Sequence, residues 1–75
     1  MPVIRLETIE GAFTEEQKKQ LSDGLAQVIV DTVGEAIRPN TWVIIDEKKE
    51  GNFYVGGYKL SPKVYHKMMA GKEES

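Results

Sequence analysis

Apolar and polar residues change rhythm several times along this chain, and each rhythm predicts an element. Residues 2–9 (Pro-Val-Ile-Arg-Leu-Glu-Thr-Ile) alternate imperfectly and are rich in β-branched side chains, which predicts a half-buried first strand. Gly11 interrupts that pattern. Thr14 and Gln17 have the spacing of a capping box, and Glu15 and Glu16 suit the positive end of a helix. From there Leu21, Leu25, Val28, Ile29 and Val33 recur at helical spacing, the apolar stripe of an amphipathic helix. Gly34 is a stop signal, and Pro39 points to the helix being over by then.

Trp42-Val43-Ile44-Ile45 is continuous and apolar, as expected of a strand buried on both faces. Strand, helix and strand make a βαβ unit with parallel strands and a right-handed crossover. Residues 50–57 (Glu-Gly-Asn-Phe-Tyr-Val-Gly-Gly) then form a short aromatic strand bracketed by glycine turns, either a hairpin or an arm reaching a neighbouring subunit. In the last segment Ser61 suits an N-cap, Pro62 the first helical position and Gly71 the position past the end. Leu60 and Tyr65 have staple spacing, Val64 and Met68 share a face, and Lys59, Lys63 and Lys67 lie four apart. This predicts a short docking helix over 62–70 and a disordered tail over 72–75. With no repeat or linker, residues 1–75 read as one α+β domain.

Composition adds a constraint. A chain of 75 residues buries only a marginal core, and without cysteine it has no disulfide framework or thiolate metal site. His66 is the single histidine, so a conventional zinc site is not expected. Self-association is the remaining remedy for so small a scaffold, which predicts an oligomer. The net charge of -2 and pI near 5.3 argue against nucleic-acid binding. No apolar run is long enough to span a bilayer, and the first residues do not read as a signal peptide. The expectation is a soluble cytoplasmic protein without membrane partners.

Pro2 is the candidate for chemistry. Removal of Met1 before a small second residue leaves a free prolyl amine, a rigid secondary amine. An α-amino group ordinarily titrates at about 7.7 to 8.0, and desolvation lowers that value. A base poised near neutral pH suits proton transfer next to a carbonyl.

The strand starting at Pro2, then Glu10-Gly11, Glu15-Glu16-Gln17-Lys18, Val43-Ile44-Ile45-Asp46 and Gly51-Asn52-Phe53-Tyr54-Val55-Gly56-Gly57 together resemble the 4-oxalocrotonate tautomerase family. The resemblance covers roughly residues 2–64. It implies a βαβ tautomerase-type fold with parallel strands, a short C-terminal hairpin and a C-terminal helix, assembled as a homo-oligomer, with a hexamer favoured over a trimer. It also implies a cofactor-independent, metal-free keto–enol tautomerase acting on a small 2-oxo acid or enol, with Pro2 as general base and then acid. By position Phe53 lines the site, Ile9 turns its backbone toward substrate, and Asn40 is a polar neighbour of the second strand. The departures from the family pattern matter as well. Ala12-Phe13 and Trp42 stand where the dicarboxylate tautomerases carry substrate-binding arginines, and Val55 stands near the acidic position of the related dehalogenases.

Only Arg5 and Arg38 remain. Arg38 is the candidate carboxylate binder, against a reading as a solvated loop charge. Arg5 suits an intersubunit or surface ion pair. Trp42 is either a core or interface aromatic or the filler of an apolar substrate pocket. Three activities stay open: a tautomerase, a hydratase, dehalogenase or decarboxylase using the same amine, and a non-catalytic oligomeric homologue.

Overall fold

The computed structural model describes residues 1–74. In chain order the elements are β1 (Val3–Ile9), α1 (Glu15–Val33), a 3-10 helix (Glu35–Asn40), β2 (Trp42–Lys48), β3 (Tyr54–Val55), β4 (Tyr58–Lys59) and α2 (Pro62–Glu74). β1 and β2 form one two-stranded sheet, β3 and β4 another. Trp42 N–H donates to Pro2 O (3.0 Å) where both strands begin, and Glu10 N–H donates to Lys48 O (2.9 Å) where both end. β1 and β2 therefore run parallel, as the intervening helix allows. Contacts along the chain gather in two units, Met1–Leu6 with Phe13–Asp46, and Glu7–Ala12 with the residues from Glu47 onward.

In the first unit, α1 starts on the expected capping box. Thr14 Oγ1 accepts from Gln17 N–H (3.1 Å) and Gln17 Oε1 accepts from Thr14 N–H (2.9 Å). Two otherwise orphaned donors are thereby satisfied. The stripe is only partly inward. Leu21, Leu25 and Ile29 are half-buried and Val30 is buried, whereas Val28 and Val33 are 59% and 65% exposed. α1 stops at Gly34, whose φ of 114° and ψ of 160° favour glycine, and whose N–H donates to Val30 O (2.8 Å).

Past Gly34 the chain forms a 3-10 helix that periodicity did not predict, because six mostly polar residues carry no apolar rhythm. Pro39 sits inside it, compatible with a short tight turn. β2 then runs three residues beyond the apolar Trp42–Ile45. It is not buried on both faces: Val43 to Asp46 are half-buried and Trp42 is exposed. Double-sided burial needs cover on both faces, and no residue of β2 reaches it in the isolated chain. Arg5 pairs with Asp46 across the sheet at 3.4 Å, a solvent-exposed ion pair of small worth.

In the second unit the buried residues, among those described, are Thr8, Ile9, Ala12 and Leu60. Gly11 has φ 81°, and a Cβ there would meet the Pro62 ring at 3.2 Å, so both backbone and space call for glycine. Of the two readings of the aromatic segment, the structure forms the hairpin, with Tyr54 opposite Lys59 and Val55 opposite Tyr58. Gly56 (φ 57°) and Gly57 (φ 87°) supply the two positive φ angles that a tight right-twisted hairpin turn requires. Leu60 N–H donates to Phe53 O (2.8 Å) and closes the base of the hairpin.

α2 opens as predicted, with Ser61 Oγ accepting from Val64 N–H (3.1 Å). It does not stop before Gly71 but continues through it to Glu74. Glycine in a helix interior costs only about 1 kcal/mol relative to alanine, which is a weak stop. Lys72 to Glu74 of the expected tail are thus helical, and Ser75 lies outside the described residues. His66 Nε2 donates to Gly11 O (2.9 Å), tying α2 to the glycine turn of its own unit. Among the described residues no helix is long and apolar enough to cross a membrane.

Candidate active site

The first unit holds four of the candidate residues. Pro2 is half-buried, while Met1 before it is 72% exposed. The Pro2 carbonyl accepts from Trp42 N–H, which ties the start of β1 to the start of β2. Trp42 itself is exposed at the start of β2, and Asn40 is exposed at the end of the 3-10 helix.

Arg38 is tied to this corner through the backbone. Thr41 donates its N–H to Arg38 O (3.2 Å), and the next residue, Trp42, donates to Pro2 O (3.0 Å). One peptide step separates the two donors, so the Arg38 and Pro2 carbonyl oxygens lie within about 10 Å of each other.

The Arg38 guanidinium is already engaged. Glu35 Oε2 accepts from Nε and Glu35 Oε1 accepts from Nη2 (3.2 Å), the two-pronged geometry in which arginine holds a carboxylate. Gln27 Oε1 accepts from the same Nη2 at 2.6 Å. The hydrogen bond from Arg38 holds the Glu35 carboxyl below the ordinary carboxylate range. The same bond raises Arg38 further, with a smaller contribution from the charges of Glu35, Asp31 and Asp23. Sequence reasoning missed both partners. The i,i+3 spacing of Glu35 and Arg38 was a usable signal, whereas Gln27 lies eleven residues away with no local signature.

The second unit holds Ile9 and Phe53. Ile9 is 1% exposed, and its carbonyl accepts from Ala12 N–H (3.2 Å) within the turn after β1. Phe53 is half-buried at the base of the hairpin. His66 and Tyr65, which stand edge to face at 5.3 Å, belong to α2.

An open cavity of about 360 Å³ lies along α1, lined by Phe13, Gln17, Gln20, Leu21, Gly24 and Leu25. None of the candidate site residues lines it. It offers apolar surface and two amides but no titratable side chain. Among the described residues no group of three or more His, Cys, Asp or Glu side chains could hold a metal ion.

Similar proteins identify the family. Residues 2–62 match the family described as tautomerase enzyme. A protein named probable tautomerase K2 from Dickeya dadantii (strain 3937) is 39% identical over 61 residues, covering 81% of this chain and 90% of the relative. A probable tautomerase from Bacillus cereus is 38% identical over 63 residues, covering 84% of this chain and the whole of the relative. The crystal structure of DmpI from Helicobacter pylori superposes with a TM-score of 0.58 at 32% identity, covering 87% of this chain and 95% of that one. A parallel strand pair joined by a helix, a glycine-closed hairpin, and a match beginning at Pro2 therefore agree in both sequence and structure: the chain belongs to the tautomerase enzyme family.

Proposed function

We propose that the protein, once Met1 is removed, is a cofactor-independent keto–enol tautomerase in which the Pro2 nitrogen moves a proton between carbon and oxygen of a small 2-oxo acid or its enol. The neutral prolyl amine accepts the proton from the enol hydroxyl as the carbonyl forms. The resulting ammonium then delivers a proton to carbon, leaving the amine as it began. The observation that carries this reading is the position of Pro2 itself: half-buried, preceded by an exposed Met1 and held through its carbonyl by β2. Partial burial disfavours the charged amine and thus favours the basic form near neutral pH.

In this reading Arg38 holds the substrate carboxylate, supported by the closeness of its backbone to that of Pro2. Trp42 adds an apolar wall that suits an aromatic or singly charged substrate better than a dicarboxylate. Asn40 is a polar neighbour of the same corner. Self-association completes the reading. Val3, Val28, Val33, Trp42, Tyr54 and Tyr58 are each about half exposed or more, apolar area that a second copy would cover.

The test compares protein with its native processed N-terminus against protein carrying one extra residue before Pro2. Ketonisation of phenylenolpyruvate and of 2-hydroxymuconate is followed by ultraviolet absorbance. The processed protein is expected to be active, with phenylenolpyruvate preferred, and the extended protein to lose at least about a hundredfold in kcat/KM, the scale of one acid–base group. Equal activity of the two preparations, or none in either, overturns the role of Pro2.

A further inference from the structure

The Arg38 fork carries a carboxylate from its own chain. We propose that Glu35 is an internal stand-in for the substrate carboxylate: it holds Arg38 in carboxylate-binding geometry and is displaced when an acidic ligand arrives, so that Glu35 sets the affinity of this corner for anions. The inference rests on the reading of Arg38 as the carboxylate binder.

Three observations converge on it. Both oxygens of Glu35 engage Arg38, one on Nε and one on Nη2, which is the arrangement an incoming carboxylate would itself adopt. The pair is accessible, with side-chain exposures of 41% for Arg38 and 71% for Glu35, and exposed ion pairs are weak enough to exchange. Gln27 supplies the third element. Its Oε1 accepts from Nη2 at 2.6 Å as a neutral acceptor and keeps a grip on the guanidinium when Glu35 leaves. Glu35 is therefore an exchangeable occupant and Gln27 a neutral anchor, which makes both positioning residues.

The geometry also explains how a single arginine on a short exposed helix avoids being a freely rotating charge. A flexible arginine pays rotamer entropy on binding, and a pre-formed fork has paid part of it already. The cost is competition. An acidic ligand that takes the Nε–Nη2 fork must replace Glu35, whereas an uncharged analogue has nothing to gain from doing so.

The experiment uses the processed protein and a non-reacting probe, 3-phenylpropionate, with 3-phenylpropanamide as its neutral counterpart. Binding is followed on the Arg38 Nε–H resonance and on backbone amides in ¹⁵N spectra. Glu35→Gln is expected to tighten 3-phenylpropionate about threefold or more, as an exposed competitor would allow, and to leave the amide probe unchanged. Gln27→Ala in the Glu35→Gln background is expected to reverse that gain. Arg38→Ala is expected to remove discrimination between the two probes. Unchanged or weaker 3-phenylpropionate binding in Glu35→Gln overturns the stand-in role while Arg38 keeps its own. If Arg38→Ala leaves acid binding intact, Arg38 itself falls as carboxylate binder, and Glu35 with it. Neither outcome touches the role of Pro2, which the N-terminal extension tests separately.

Discussion

The two helices end differently on the same residue type. α1 stops at Gly34, where φ 114° and ψ 160° turn the chain in a way open to glycine and little else. α2 meets Gly71 and passes through it to Glu74. A glycine permits a stop without imposing one, because it only weakens the helix it sits in. What imposes the stop at Gly34 is the next segment, Glu35–Asn40, which must turn at once to bring Trp42 to the Pro2 carbonyl. Beyond Gly71 no such contact demands a turn among the described residues.

Substitutions at these ends can break that contrast. The largest effect is expected for Gly34→Ala, which forces a side chain into a glycine-only conformation at about 1–3 kcal/mol. Thermal unfolding at fixed protein concentration should show a fall of several degrees, and an unchanged midpoint would mean that the turn relaxes freely. Next comes Thr14→Ala, which removes the side-chain bond of the capping box and leaves the bond from its backbone N–H to Gln17, at about 1 kcal/mol. Here Thr14→Ser should restore most of the loss.

A similar or smaller cost is expected for Ser61→Ala, about 0.5–1 kcal/mol. Because Ser61 caps only α2, amide exchange should quicken in residues 63–66 and stay unaltered in α1. Global destabilisation instead would show that α2 folds as one unit with the rest. The smallest effect carries the opposite sign. Gly71→Ala should stabilise α2 by somewhat under 1 kcal/mol through helix propensity alone, visible as added helical circular dichroism. A loss of helix there would restore Gly71 as a true terminator.

The parts of the fold that were legible beforehand are those coded by neighbours in sequence. Thr14 with Gln17, Ser61 with Val64, and Gly56 with Gly57 each act within a few residues, and all three do what their spacing predicts. Illegible parts depend on distant partners. The strand character of Asp46 to Lys48 comes from backbone pairing with β1, which is indifferent to side-chain polarity. The helical stripe marked Val28 and Val33 yet not Val30, the one residue of α1 that is buried, because periodicity defines a face but not how far cover extends over it. At the site, Pro2 and Arg38 could be chosen by residue type. Glu35 offered only its i,i+3 spacing to Arg38, and Gln27, eleven residues away, had no local signature.

The hydrogen bond from Trp42 to Pro2 has one more consequence. The chain contains a single tryptophan, and its backbone N–H donates to the Pro2 carbonyl. Trp42 is half exposed, so its emission responds to whatever changes beside it. The protein thus carries a native optical reporter at its N-terminal corner. Trimming of Met1, arrival of an aromatic ligand and burial by a second copy would each be readable as a change in colour or intensity, without any label.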